Sequence, residues 1–236
     1  MLLNAITGNN SLIEIIMGIV SALVVIFITL PVHEWAHGFV SSKLGDPTPR
    51  YQGRLTLNPM AHFDPIGAAG ILLFGIGWAK PVGVNARYYK NPKWGMALVA
   101  LAGPLANILC AFVSLFLFQI VQTVFILAPL PEAAYGILFA VNFFFASLAQ
   151  INVYLAVFNL IPIPPFDGSR IFFTFLPQKY YFKIMQYERF IFLGILVLLY
   201  TGILSKPLNL ASNAVLVVIG GLAKLPFNLL FNLIGM

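Results

Sequence analysis

Charged residues are scarce in this sequence. Asp, Glu, Lys and Arg together make up 8% of the 236 residues, whereas 60% of the residues are apolar. Soluble proteins usually contain about 25% charged residues, so the composition excludes a soluble protein and favours a membrane protein. Acidic residues are the rarest of these, numbering seven in the whole chain. Any acid inside an apolar run therefore calls for an explanation.

Cysteine is almost absent. Cys110 is the one cysteine of the chain and lies in an apolar run, which excludes a disulfide framework, a cysteine-based zinc site and paired redox chemistry. The net charge of +6 does not indicate a nucleic-acid partner, because the basic residues are scattered through loops between apolar segments. We expect a lipid bilayer around the protein and no nucleic acid.

The apolar segments predict an all-α polytopic membrane protein. A chain of 236 residues has room for about five to six transmembrane helices of about 20 residues and for no independent soluble domain. We expect one membrane-embedded domain over residues 1–236, with a motif-bearing core at about 11–170 and C-terminal helices at about 188–236. The predicted apolar helices are 11–42, 94–127, 134–160, 190–200 and 208–221, followed by a partial helix from 225 onward.

Two histidines and a glutamate interrupt the first apolar run, in the order His33-Glu34-Trp35-Ala36-His37. Residues four apart share a helix face, so His33 and His37 can direct two imidazoles at one metal ion, with Glu34 beside them. A zinc hydrolase needs this arrangement, together with a third ligand and an open position for water. A polar cluster satisfied within the core is the other interpretation, but clustered ionisable groups in a membrane helix require compensation. The motif therefore predicts one Zn²⁺ per chain.

The third zinc ligand has several candidates. Asp167 follows a segment with three prolines in four positions, which ends a long apolar helix, and a carboxylate at that depth needs a partner. Asp46, His62 and Asp64 compete because they lie within about 30 residues of the histidine motif, as third ligands do in some soluble zinc proteases. His62 and Asp64 are only two apart, so we expect them to be accessory residues that line the mouth of the site or cap the next helix. We favour Asp167.

Four further features bear on the expected site. Pro31 removes one helical hydrogen bond, which predicts a local opening of the first helix. Residues 66–78 are apolar but short and predict a re-entrant or tilted partial helix. Residues 80–85 predict a short membrane-associated strand or hairpin that can pair with an extended peptide. Asn107, four residues after Gly103, is expected to pack helices together, with an accessory role at the site as the alternative.

Three motifs, in this order, resemble the site-2 protease family of intramembrane zinc metalloproteases. They are His33-Glu-Trp-Ala-His37, Gly103-Pro-Leu-Ala-Asn107, and Asn159-Leu-Ile-Pro162 leading to Asp167-Gly168. Residues 57–65 and 77–81 look like the short prokaryotic members, so the resemblance covers about 24–170. We expect neither the PDZ nor the CBS domain of larger members.

The resemblance implies roles for individual residues. It implies that His33, His37 and Asp167 bind zinc. It also implies that Glu34 activates water and that Asn159 orients the substrate or stabilises the oxyanion. Members of the family cut membrane-spanning or membrane-adjacent proteins, so the expected activity is that of a zinc metalloendopeptidase acting on peptide bonds in such substrates.

A membrane metal-ion carrier or transporter that uses the same His/Asp cluster is the alternative function. A carrier needs no general base beside its ligands, and an inverted repeat would be expected in it. This sequence has Glu34 beside the histidines and shows no internal repeat. The peptidase interpretation is therefore favoured.

The distribution of basic residues predicts an orientation. Residues 43–54, 80–93 and 170–189 hold most of the lysines and arginines, whereas residues 128–132 hold none. Basic loops stay on the cytoplasmic side of a membrane. We therefore expect a multi-pass protein of the cell membrane, with its active site toward the cytoplasm.

Overall fold

The computed structural model describes residues 11–74, 77–128, 131–176, 183–184 and 186–235. A π-helical turn (Val25–Thr29) joins the first two helices, and a 3-10 turn (Ala86–Tyr88) precedes α6. The α-helices of the described residues are α1 (Leu12–Val24), α2 (Leu30–Lys43), α3 (Thr48–Tyr51), α4 (Pro59–His62), α5 (Pro65–Phe74), α6 (Pro92–Leu127), α7 (Ala133–Asn159), α8 (Asp167–Phe173), α9 (Glu188–Tyr200) and α10 (Ser205–Leu233).

Four helical segments of the described chain are long and apolar enough to cross a bilayer. They are Leu12–Lys43, Pro92–Leu127, Ala134–Asn159 and Ser205–Leu233. The all-α, membrane-compatible architecture is therefore confirmed, while the count of five to six spans stays a prediction. The last span corrects the expected division of the C-terminal region, because α10 continues through Pro226. Membrane helices tolerate an internal proline when neighbouring groups satisfy the freed carbonyl.

The first span contains a wider, π-helical turn just before the histidine motif. It begins with a capping box, in which Ser11 Oγ accepts the Glu14 N–H and the Glu14 carboxylate accepts the Ser11 N–H. The π turn ends two residues before Pro31, and the Leu30 N–H donates to the Val25 carbonyl five residues back. A wider turn accommodates the proline ring, which would otherwise clash with the preceding turn. The local opening expected from Pro31 is thus present.

Between α2 and α6 the chain forms short helices and an extended segment. Helix α5 has 10 residues and is about 15 Å long, half the thickness of the hydrocarbon core, so this helix alone does not span it. Residues 75 and 76 of the expected partial helix lie outside the described residues. Residues 77–85 form no β-ladder with any described part of the chain. The expected strand or hairpin is not confirmed: the Lys80 N–H donates to the His62 carbonyl, and the N–H groups of Val82, Gly83 and Asn85 donate to side chains.

Helix α6 is the centre of the bundle and contacts α2, α7, α8 and α10. Its buried face consists largely of small residues, namely Gly95, Ala97, Ala100, Gly103, Ala111 and Ser114. In lipid, helices associate through close van der Waals packing, which small residues permit. Large apolar side chains on its other face, such as Leu109 and Val124, are exposed and form a surface that a bilayer would cover. The small face brings α6 close to the histidines of α2.

Candidate metal centre

Three side chains named from the sequence meet inside the bundle. His33 and His37 lie one turn apart on α2, and their Nε2 atoms are 3.0 Å apart. Asp167 Oδ2 lies 3.3 Å from Nε2 of His33 and 3.2 Å from Nε2 of His37. Ligand atoms about 2.0–2.1 Å from a tetrahedral zinc ion lie about 3.3 Å from one another. The three atoms therefore have the mutual spacing of a zinc ligand set.

Asp167 reaches the histidines because of the way α7 ends and α8 begins. The chain leaves α7 at Asn159, passes through the proline-rich segment and starts α8 at Asp167. A Cβ at Gly168 would overlap the carbonyl of Leu160. Glycine at that position therefore allows the first turn of α8 to pack directly against the end of α7, with the carboxylate pointing at α2.

The protonation pattern of the cluster suits a metal ion. His37 Nδ1 lies 2.6 Å from the Val99 carbonyl oxygen. Because a carbonyl only accepts, Nδ1 carries a proton, and the neutral imidazole therefore presents the lone pair of Nε2 to His33 and Asp167. A carboxylate and an imidazole lone pair this close repel each other unless a positive charge lies between them. Two nitrogens and one carboxylate oxygen form the donor set that zinc prefers in catalytic sites, so the residues present fit the ion.

Helix α6 passes directly beside the two imidazoles at Gly103. A Cβ at this position would lie 2.5 Å from Nε2 and 2.6 Å from Cε1 of His33, and it would overlap Nε2 of His37. Only a residue without a side chain leaves room for the ligands here. One turn later, Asn107 is completely buried, and neither atom of its amide group has a partner within the described residues. Its accessory role stays a prediction.

Glu34 faces the extended segment that precedes α6. Its Oε2 accepts the N–H of Val82 at 2.8 Å, and the residue is 9% exposed. This contact holds the carboxylate one residue away from a candidate metal ligand. The sequence gives no signal for it, because any residue except proline carries the N–H that Val82 supplies.

His62 and Asp64 do not join the cluster. The only group of potential ligands close enough together among the described residues is His33, His37 and Asp167. His62 is buried and its Nε2 donates to the Thr56 carbonyl at 2.9 Å. Asp64 Oδ1 accepts two backbone N–H groups at the start of α5, both at 2.9 Å. Asp64 thus caps the next helix, as one of the two expectations had it.

Two further residues singled out from the sequence, Asn159 and Asp46, also lie outside the cluster. Asn159 ends α7, where its Nδ2 donates to the Leu155 carbonyl at 3.0 Å, so its role toward substrate stays a prediction. Asp46 is 1% exposed, whereas a carboxylate in a polar loop is expected to be solvated. Burial raises the pKa of the Asp46 carboxyl, but hydrogen bonds from Thr48, Asn85 and Ser41 lower it by more, so the pKa lies below its ordinary value.

The chain is similar to known proteins both as a family and in single chains. The model of "Peptidase family M50" matches residues 21–201. "Putative zinc metalloprotease YwhC" of Bacillus subtilis is 38% identical over 185 residues, which cover 76% of this chain and 80% of that protein. "Putative zinc metalloprotease Rip2" of Mycolicibacterium smegmatis is 29% identical over 187 residues, covering 75% of this chain and 66% of that protein. No solved structure matches the chain.

Proposed function

This chain belongs to peptidase family M50 and is an intramembrane zinc metalloprotease, and we propose that it cleaves membrane-spanning or membrane-adjacent proteins at the cluster described above. His33, His37 and Asp167 are the zinc ligands in this proposal, and Glu34 is the general base. The observation that carries it is the convergence of three ligand atoms beside a buried glutamate. A metal-ion carrier is not favoured, because the family and the relatives are proteases. A carrier also needs no general base such as Glu34 beside its ligands.

Each residue of the cluster has a defined task in peptide hydrolysis. Zinc bound by these three side chains supplies Lewis acidity, which polarises a peptide carbonyl and makes a water molecule more acidic. Glu34 accepts the proton of the attacking water and passes it to the leaving amine nitrogen. The Val82 N–H occupies Oε2 of Glu34, which leaves Oε1 to carry the proton. The Val99 carbonyl keeps His37 in the tautomer that binds metal.

The substrate has to present an extended main chain to this cluster. A helical substrate offers no free carbonyl, so it must unwind locally. We propose that the unwound stretch lies beside residues 80–85, which run past Glu34. The N–H groups of Val82, Gly83 and Asn85 already donate to side chains of this protein, so the substrate bonds mainly to carbonyl groups of the segment. Asn159, on the path from α7 to Asp167, is proposed to orient the substrate or stabilise the oxyanion.

The described parts of the basic loops lie at one end of the bundle. Lys93 Nζ donates to the Leu176 carbonyl at 3.4 Å, joining the start of α6 to the chain after α8. The Tyr89 hydroxyl is 2.7 Å from Ser41 Oγ near the end of α2. These contacts support the proposal that this end faces the cytoplasm and that the protein spans the cell membrane.

The depth of the cluster agrees with hydrolysis inside the bilayer. His33 precedes Lys43, the last residue of α2, by three helical turns, which corresponds to about 15 Å. The hydrocarbon core of a bilayer is about 30 Å thick. A cluster at that distance from the basic end lies among lipid tails, so water must reach it through the protein.

Glu34→Gln tests the proposal. The substitution removes the proton acceptor and keeps the side-chain volume and all three zinc ligands, so cleavage of a tagged single-span substrate in proteoliposomes should fall by at least about 100-fold. Zinc content should remain one ion per chain. Glu14→Gln is the matched control, because the capping box accepts either residue and α1 begins far from the cluster. Near-normal turnover by Glu34→Gln would show that the base lies elsewhere.

A further inference from the structure

Side chains of the chain's own α2–α3 region hold the extended segment 82–85 in place. The Val82 N–H donates to Glu34 Oε2 at 2.8 Å, and the Asn85 N–H donates to Asp46 Oδ2 at 2.7 Å. Between them, the Gly83 N–H donates to Gln52 Oε1 at 3.1 Å on the surface. No β-ladder supports this segment within the described chain. These three acceptors hold it in place, together with the backbone bond at 2.8 Å from the preceding Lys80 N–H to the His62 carbonyl.

Asp46 is the best-buried of the three acceptors. It is 1% exposed and has Ser41, which is fully buried, on one side. Ser41 Oγ donates to Asp46 Oδ2 at 2.7 Å and lies 2.7 Å from the Tyr89 hydroxyl, which donates to it in turn. The Thr48 N–H donates to Asp46 Oδ1 at 2.9 Å. The carboxylate therefore connects the end of α2, the loop after it and Asn85, and Ser41 extends this network to Tyr89 just before α6.

The spacing of these contacts fixes the register of the segment along α2. Glu34 and Ser41 are seven residues apart, which is two helical turns and about 10.5 Å. Val82 and Asn85 are three residues apart, which is about 10 Å in an extended chain. The two lengths match, so anchoring Asn85 at the Ser41–Asp46 end delivers the Val82 N–H to Glu34. A shift by one residue would point the wrong backbone group at the glutamate.

We propose that Asp46 is a positioning residue for the catalytic base, acting through the 82–85 segment. Asp46 accepts the N–H of Asn85 and so holds that end of the segment in place. The segment in turn places the Val82 N–H against Glu34, and this bond fixes the carboxylate of Glu34 beside the metal ligands. The inference depends on the proposed role of Glu34 as the base. Asp46 itself touches neither the metal ligands nor the substrate, and it lies outside the group of residues close enough to share a metal ion.

The surface contact at Gln52 cannot replace Asp46. Gln52 is exposed and Gly83 is half-buried, so water competes for their hydrogen bond, whereas the carboxylate of Asp46 accepts its bonds in the protein interior. Bonds to a buried charged group are stronger than exposed bonds between neutral groups. Without Asp46, the Asn85 end of the segment would retain only the weak bond at Gly83, whereas the Val82 end would keep its contact with Glu34 and the bond from the preceding Lys80 N–H to the His62 carbonyl.

A double-mutant cycle tests the inference on full-length protein in proteoliposomes with a tagged single-span substrate. Asp46→Ala removes the anchor, and Val82→Pro removes the N–H that reaches Glu34. Each variant should lower kcat about 10- to 100-fold, as losses of groups that orient catalytic residues do. The double variant should be no worse than the poorer single variant, because both changes break one path. Zinc should remain at one ion per chain, and KM should change by less than about threefold.

Several results would overturn the inference. They are a normal kcat for Asp46→Ala, a double-variant loss equal to the product of the single losses, and loss of zinc from Asp46→Ala. Asn91→Ala is the matched control, since it removes an exposed side-chain acceptor of a backbone N–H at the start of α6. It should keep the normal kcat, and a loss as large as that of Asp46→Ala would indicate general loosening instead.

If Asp46→Ala or Val82→Pro prevents folding, a milder change tests the same hydrogen bond. Asp46→Asn keeps the size of the side chain but cannot accept every bond at Oδ1 and Oδ2, so its kcat should fall between those of the wild type and Asp46→Ala. An ester in place of the Val82 amide removes the same N–H without a proline ring. Glu34→Gln is measured in parallel. If Glu34→Gln is inactive and Asp46→Ala is normal, the positioning role fails alone; if Glu34→Gln is active, the proposed function fails.

Discussion

Replacing Gly103 with alanine is the smallest change that should disrupt the metal centre. The added Cβ would lie 2.5 Å from Nε2 of His33, whereas ordinary contacts of a Cβ begin at 3.4 Å. The imidazole or α6 must therefore move by about 1 Å, and the same methyl group also overlaps Nε2 of His37. A misplacement of about 1 Å in a catalytic site can lower the rate about 100-fold. We expect Gly103→Ala to lose zinc and to lower kcat/KM by at least that factor.

The assay is zinc stoichiometry after dialysis, followed by cleavage of the tagged substrate with and without added zinc. Gly221→Ala is the control, because a Cβ at that position of α10 meets no heavy atom within 4 Å. Alanine is favoured over glycine in a helix by about 1 kcal/mol, so this variant should keep full zinc, normal activity and at least normal thermal stability. Full zinc and full activity in Gly103→Ala would refute the placement of α6 against the two imidazoles.

Three further predictions concern the ligand set, pH and orientation. Asp167→Ala should lose zinc after dialysis and should not cleave substrate, whereas Asp64→Ala should keep zinc, because its carboxylate caps α5; the reverse result would exchange their roles. Zinc occupancy and activity should both fall on acidification, since protons compete for imidazoles that bind metal only when neutral; activity that rises steadily toward low pH would contradict this. In a background with Cys110→Ser, a cysteine introduced at Arg87 should react with a membrane-impermeant reagent only from the cytoplasmic side, and one at Glu132 only from outside; external labelling at Arg87 would reverse the topology.

The sequence alone predicts those features of the fold and the site that depend on a single helix. His33 and His37 share a helix face by spacing, and Pro31 opens its own helix, so both features follow from local rules. The starts and ends of the first three long helices lie within two residues of the predicted limits. Asp167 was predicted for a different reason: a carboxylate after an apolar helix needs a partner, and the histidine motif lacked a ligand. The structure brings them together.

Sequence reasoning failed where the partner comes from a distant part of the chain. Residues 80–85 alternate like a strand, but the N–H groups of Val82, Gly83 and Asn85 bond to side chains and that of Lys80 bonds to the His62 carbonyl, with no second strand. Alternation of polar and apolar residues predicts an extended backbone, but it does not predict which groups accept the hydrogen bonds of its N–H groups. In the same way, the burial of Asp46 depends on Asn85, 39 residues away, and a polar loop gives no sign of it.

Acidic residues are few in this chain, and the hydrogen-bond donors around each carboxylate indicate its role. A carboxylate buried without donors is costly, and more so near lipid. Glu34 and Asp46 are buried, and each accepts at least one backbone N–H, while Asp167 faces two imidazoles. Glu14 and Asp64 cap helices near the surface. Glu34, Asp46 and Asp167 therefore lie on one path, from the anchor of the 82–85 segment to the base and the metal ligands. In a chain this poor in acids, a buried carboxylate points to the catalytic machinery even when its own position lies outside it.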